Sequence, residues 1–149
     1  MNCVTVDTPV GTLSILGGAS VQAVRWGALP GDPSPCLARA ADEVRAYFAG
    51  SLTAFTVPLD PGGTEFQHRF LDMLLAIPFG ETRRYGDLAR ALGVSAQAIG
   101  QACGANPIPV LIPCHRVLSA SGLGGYSGAG GIETKVALLR HEHAAGLLI

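Results

Sequence analysis

The stretch Tyr85-Gly86-Asp87-Leu88-Ala89-Arg90-Ala91-Leu92-Gly93-Val94-Ser95-Ala96-Gln97-Ala98-Ile99-Gly100-Gln101-Ala102-Cys103-Gly104 decides the architecture of the second half of the chain. Leu88, Ala91 and Leu92 fall on one side of a helix over 85–92. Gly93 sits just past its end, where a left-handed cap is needed. Ser95 then offers a side-chain oxygen to the first free N–H groups of a helix over 96–104. Two short helices joined by a tight glycine-containing turn predict a helix-turn-helix, with 96–104 as the element that enters a groove. The competing reading of 96–104 is a small-residue helix packed in a core.

Upstream, Thr64-x-x-Gln67 has the spacing of a capping box. Phe66, Phe70, Met73, Leu74 and Ile77 then mark one helix face, and Pro78-Phe79-Gly80 stops it. Pro58, Pro61, Gly62 and Gly63 read as a linker. Before it, Val4 and Val6, Leu13 and Ile15, and Val21, Val24 and Trp26 predict three strands. Leu37, Ala41, Val44 and Phe48 predict a helix ending near Gly50, and Phe55, Val57 and Leu59 a further strand. The expectation is an α+β fold, with an N-terminal domain over 1–60 and a mostly helical one over 61–149.

Composition bounds the function. With 149 residues, 48% of them hydrophobic and 14% charged, the chain can bury roughly 70% of its unfolded surface. That excludes a disordered tail and a disulfide-stapled miniprotein. The net charge of −1 argues at first against a nucleic-acid partner. The balance is uneven, however: residues 1–60 hold three Arg and five acids, and residues 61–149 hold seven basic and six acidic residues. No apolar run approaches the roughly 18 residues a membrane span needs, and no signal peptide is visible, so a cytoplasmic protein with reduced thiols is expected. The four cysteines lack Cys-x-x-Cys spacing, and His141 and His143 do not share a helix face, so no metal is expected.

The chemistry concentrates in Asn106-Pro107-Ile108-Pro109-Val110-Leu111-Ile112-Pro113-Cys114-His115-Arg116-Val117. An apolar run ends at Pro113, which delivers Cys114 and His115 side by side. A thiolate is a nucleophile, and an imidazole nearby can help generate it. A buried structural cysteine remains the ordinary reading of an isolated Cys-His pair.

Pro113-Cys114-His115-Arg116-Val117 resembles the active-site pentapeptide of the DNA alkyltransferases that repair O6-alkylguanine. Phe66-Gln67, Ile77-Pro78-x-Gly80-x-Thr82, Tyr85-Gly86-x-Leu88-Ala89, Asn106-Pro107, Gly125-Tyr126-Ser127-Gly128 and Lys135-x-x-Leu138-Leu139-x-x-Glu142 extend the resemblance over 64–142. The first 60 residues are similar only in strand order and in the turn Asp7-Thr8-Pro9-Val10-Gly11.

The resemblance implies a small ribonuclease-H-like antiparallel sheet plus helix, followed by the helix-turn-helix domain. It implies a monomer that acts once, without cofactor or membrane, on double-stranded DNA carrying O6-alkylguanine, and by extension O4-alkylthymine. Cys114 would take the alkyl group and His115 the thiol proton, through a water. Glu142 would orient His115, and Tyr85 would serve the leaving base. Asn106 would brace the turn before the reactive strand. Backbone around Cys114, Val117 and Ser127 would read the guanine edge, under the loop carrying Tyr126. The small side chains Ala96, Ala98 and Gly100 would let the third helix approach the minor groove, with the target base flipped out. Arg84 and Arg116 would add positive charge to the DNA face.

Departures from the family pattern are also legible. Gln97 stands where the family has the Arg that fills the gap left by the flipped base. Arg84 stands where Ser or Thr is usual, and Phe70-Leu71 where the family has Val-Trp. The loop from Gly122 to Tyr126 is about one residue short, and the stretch from Tyr126 to Lys135 about two residues long. Two rival readings stay open: a lesion-binding module with little transfer, and a cysteine hydrolase using Cys114, His115 and Glu142.

Overall fold

The computed structural model describes residues 2–120, 122–126, 128 and 130–144. They form an α+β fold in two compact units, one of residues 1–62 with 107–111 and one of residues 63–106 with 112–149.

In the first unit, β1 (Asn2–Thr8), β2 (Gly11–Gly17) and β3 (Val21–Trp26) form an antiparallel sheet in sequential order. The register pairs Val6 with Leu13 and Ile15 with Val24. All four are buried, together with Cys3 and Val21. The helix α1 (Pro35–Phe48) packs on this sheet through Leu37, Ala40, Ala41, Val44 and Tyr47. Ser34 caps it by accepting from the Leu37 N–H, and Pro35 opens its first turn, where no N–H is missed. Tyr47 rather than Phe48 is the fully buried aromatic, with Phe48 set edge-on against it at 4.9 Å.

The strand expected over Phe55–Leu59 does not form. Only Leu59 makes an isolated bridge, parallel to Val21. The Glu43 carboxylate accepts from the Thr56 and Val57 N–H groups at 2.9 and 3.3 Å, and Pro58 has no N–H to offer a ladder. The segment Pro107–Leu111 completes this unit. The Pro107 carbonyl accepts from the Val24 N–H at 2.9 Å, and Ile108, Val110 and Leu111 are buried. Val110 holds φ +72°, unusual for a β-branched residue, within a turn closed by Leu111 N–H to Pro109 O.

The second unit contains α2 (Glu65–Leu75), α3 (Tyr85–Leu92), α4 (Ala96–Gly104) and α5 (Ile132–His141). Thr64 caps α2 by accepting from the Gln67 N–H. Phe70, Leu71 and Leu74 are its buried residues, while Phe66 and Met73 are half-buried. Gly93 ends α3 with φ +70°, and Ser95 caps α4 by accepting from the Ala98 N–H at 3.1 Å. The helix-turn-helix therefore forms over the expected residues. Its inward face differs from expectation: Leu88 and Ala89 are buried, Leu92 is half-buried and Ala91 is exposed. Among the described residues no helix is long and apolar enough to cross a membrane.

Candidate active site

Cys114 begins a single 3-10 turn, Cys114–Arg116, and is not on a strand. Pro113 precedes the turn and its carbonyl accepts from the Arg116 N–H, so the chain tightens there instead of extending. After the turn, β5 (Val117–Leu118) pairs in parallel with β4 (Arg83–Arg84), which leads directly into Tyr85. Nucleophile and tyrosine are thus set by neighbouring short strands. Asn106 braces the approach: its Nδ2 donates to the Ile112 carbonyl at 2.9 Å, and its side chain also hydrogen-bonds Cys114. Burial pushes the Cys114 thiol up, while the Asn106 bond and the nearby Lys135 charge pull it down.

His115 is fully buried, with Nε2 2.9 Å from Glu142 Oε2. Glu142 caps the C-terminal end of α5 and is itself buried. Burial works to raise its pKa, but hydrogen bonds from His115 and Arg116 overcome this and hold it well below the usual carboxylate range. An ionised carboxylate only accepts, so Nε2 carries the His115 proton. His115 Nδ1, buried and without a hydrogen-bond partner among the described residues, keeps its lone pair. Burial lowers the His115 pKa despite the carboxylate, so the ring is neutral near pH 7.

Arg116, expected to add charge to the DNA face, is buried and bonded within the protein. Its Nε and Nη2 donate to the two Glu142 oxygens, each at 2.8 Å, and its Nη1 donates to the Ile77 carbonyl at 2.7 Å. It is 7% exposed, because only the guanidinium fork can satisfy both oxygens of the buried carboxylate. Arg84 is exposed, but its Nη1 holds the Ser119 and Ala120 carbonyls at 2.8 and 2.7 Å. Arg83 pairs with Glu81 at 3.3 Å, and Arg90 pairs with Asp87. These four arginines are therefore largely committed within the protein.

Cys114 opens onto a cavity of about 460 Å³, lined also by Tyr85, Ala96, Gly100, Cys103, Gly104, Gly125 and Tyr126. Burial is the main reason the Tyr85 phenol is pushed up to about 12, with the two cysteines adding to it. It therefore keeps its proton at neutral pH. Burial likewise raises Tyr126. Gly124, at φ +73°, lies so close to Tyr85 that a Cβ there would meet the ring at 3.0 Å.

On α4, Ala96, Gln97 and Gly100 are exposed and Ala98 is half-buried, so this face is not core. Val117 is buried and its carbonyl is taken by Lys135. Ser127 lies outside the described residues.

The sequence reading gave two residues of the site no role, although it quoted Lys135 within a family motif. Lys135 is fully buried, and its Nζ donates to the carbonyls of Val117 at 2.7 Å, Leu123, and Gly125 at 3.1 Å. It also lies 5.7 Å from the Tyr85 ring centroid. It is the only lysine in a chain with nine arginines, which was the available signal. Cys103 carried no signal beyond its place on the helix.

Residues 65–144 match the family model described as 6-O-methylguanine DNA methyltransferase, DNA binding domain. The chain is 44% identical to a methylated-DNA–protein-cysteine methyltransferase of Mycobacterium bovis, over 93% of this chain and 90% of that protein. It is 42% identical to the Mycobacterium leprae protein of the same name, over 95% and 92%. A crystal structure of Mycobacterium tuberculosis O6-methylguanine methyltransferase superposes with a TM-score of 0.84 at 42% identity, covering 99% of this chain and 96% of that one. The crystal structure of Mycobacterium tuberculosis OGT in complex with DNA gives 0.85 at 45% identity, covering 96% and 93%.

Proposed function

The chain belongs to the O6-methylguanine DNA methyltransferase family, and from that premise we propose that Cys114 takes the alkyl group from O6 of a damaged guanine in double-stranded DNA, once per molecule. The observation that carries this reading is the placement of Cys114 on a cavity wall, beside a buried neutral His115 oriented by Glu142.

The Cys114 sulfur attacks the alkyl carbon in line as the bond to O6 breaks. The thiol proton passes to His115 Nδ1 through a water, and the imidazolium is stabilised by Glu142. The guanine leaves as an anion to which the Tyr85 phenol donates a hydrogen bond; its raised pKa keeps the phenol protonated, so it shares that proton and the thiol proton balances the anion. Asn106 donates to the forming thiolate and holds the turn that aims it. A thioether does not hydrolyse, so each chain is spent, and no cofactor enters the balance. O4 of thymine presents the same kind of alkyl carbon and is a second substrate of this mechanism. A free reactive thiol suits the reducing cytoplasm.

A base inside a duplex cannot reach a cavity, so it must be flipped out, and the exposed small residues of α4 suit approach through the minor groove. Cys114 and Tyr126 line the cavity, so the backbone at Cys114 and the loop with Tyr126 would read the edge of the flipped base.

Intact-protein mass spectrometry after incubation with an O6-methylguanine oligonucleotide tests the reading. A gain of one methyl by the native chain, absent in Cys114→Ser, is the expected result. No gain, or a gain retained in Cys114→Ser, refutes it. Lesion-selective gel shifts without methylation would instead favour a binding module.

Gln97 takes the position that intercalates in this mechanism, and it brings no charge. Gln97→Arg should tighten duplex binding by about tenfold, the scale of one charge-assisted contact. It should speed repair of duplex DNA while leaving reaction with free O6-benzylguanine unchanged. An equal response of both substrates, or of neither, removes Gln97 from the flipping step.

A further inference from the structure

We propose that Cys103 is a second alkyl acceptor: when the group delivered to Cys114 carries another leaving group at its far end, the Cys103 thiol displaces it and bridges the two sulfurs. The inference rests on the reading of Cys114 as first acceptor. It stands on the presence of two thiols lining one cavity, Cys103 from α4 and Cys114 from the 3-10 turn. The other two cysteines, Cys3 and Cys36, lie in the first unit.

Cys103 is half-buried, and its helix neighbours Gly100 and Gly104 have open space where a Cβ would stand. At Gly100, one turn before Cys103 on the same face, no side chain therefore screens the thiol from the cavity. The sulfurs are also close enough to feel one another. Burial is the main reason Cys103 is pushed up to about 12, and charge on Cys114 adds to it, while Lys135 draws both thiols down. Monofunctional repair uses only one of these sulfurs.

The chemistry balances without an oxidant. First the Cys114 S–C bond forms and the C–O6 bond breaks, and guanine leaves with the thiol proton. Next the Cys103 sulfur attacks the carbon bearing the halide. That C–halogen bond breaks, halide departs, and the second thiol proton goes to solvent. Confinement in one cavity replaces a bimolecular encounter, which lets a neutral thiol outrun water. The product is a dithioether staple, and the second electrophile is disarmed inside the protein.

The probe is free O6-[4-(chloromethyl)benzyl]guanine, whose rigid ring keeps the chloride-bearing carbon from folding back onto Cys114. No Lys or Arg lies between Arg90 and Arg116, so trypsin releases both thiols on one peptide, residues 91–116. In the native chain this peptide should gain a xylylene group in place of two hydrogens and take up no iodoacetamide. Bridged product should exceed open product by roughly tenfold or more. Cys103→Ser and Cys103→Ala should carry the open adduct, hydrolysed to the benzyl alcohol. An open adduct in the native chain, with Cys103 still alkylated by iodoacetamide, overturns the proposal, as does capture by Lys135 or a tyrosine. Methyl transfer from O6-methylguanine DNA is scored separately, so loss of that transfer condemns the first acceptor and loss of the bridge alone condemns the second.

Discussion

Glu142→Ala should lower the melting temperature by on the order of 10 °C and reduce methyl transfer to background. The carboxylate is buried and accepts from Arg116 Nε and Nη2 and from His115 Nε2. Removing one partner of a buried ion pair costs about 3–5 kcal/mol, because the remaining charge is left uncompensated. For a chain of this size each kcal/mol shifts the midpoint by about 2–4 °C. The chemistry suffers separately: without Glu142 nothing fixes the His115 tautomer or stabilises the imidazolium. Glu142→Leu combined with Arg116→Met should recover much of the folding stability and none of the transfer. Calorimetry and methyl incorporation read the two effects apart, and a Glu142→Ala chain of native stability would refute the account. The same network sets the acid response. His115 has a folded pKa below its ordinary value, so stability falls as pH drops below about 6.5. Glu142 has a depressed pKa, so its contribution is present above the ordinary carboxylate range and is lost as pH falls through the depressed value. Melting temperatures that stay flat or rise from pH 7 to pH 4 would contradict both directions.

Lys135→Met should cost on the order of 100-fold in transfer rate and several degrees in melting temperature. The ammonium joins three carbonyls, one beside the nucleophile's turn and two in the 123–125 segment of the cavity wall. Methionine fills the space but offers no donor. A buried carbonyl left unpaired costs about 1–3 kcal/mol, and the Val117 carbonyl is buried with its residue. The rate loss has a second source, since the Lys135 charge helps draw the Cys114 thiol down. The pH–rate profile of the variant should therefore move to higher pH. Stopped-flow transfer measured across pH checks this, and an unshifted profile would confine Lys135 to a structural role. Lys135→Arg should not rescue, because a planar fork cannot point three donors at three converging carbonyls.

What could be read from the sequence follows from which forces are local. Caps announced themselves at Thr64, Gly93 and Ser95 because a cap is decided within four residues. The three strands were legible from alternation. The failed strand at 55–59 was not, because the competitor for its N–H groups was Glu43, a dozen residues away. Arg116 was misread for the same reason. An arginine in a conspicuous motif looks like a phosphate contact until its carboxylate, 26 residues on, is placed beside it. Lys135 was visible within a family motif, but its carbonyl partners lie 10 to 18 residues away, and nothing local to Cys103 signals the cavity.

The first compact unit includes Pro107–Leu111, held by the Val24 N–H, while the chain on both sides of that segment belongs to the second unit. No single cut in the gene therefore yields the catalytic half intact. A fragment begun at Gly63 would carry Ile108, Val110 and Leu111 with their apolar partners deleted, and the loose segment would sit six residues or fewer before the nucleophile. Anyone building a minimal alkyl-accepting tag from this scaffold would need to redesign those three side chains for water before shortening the chain.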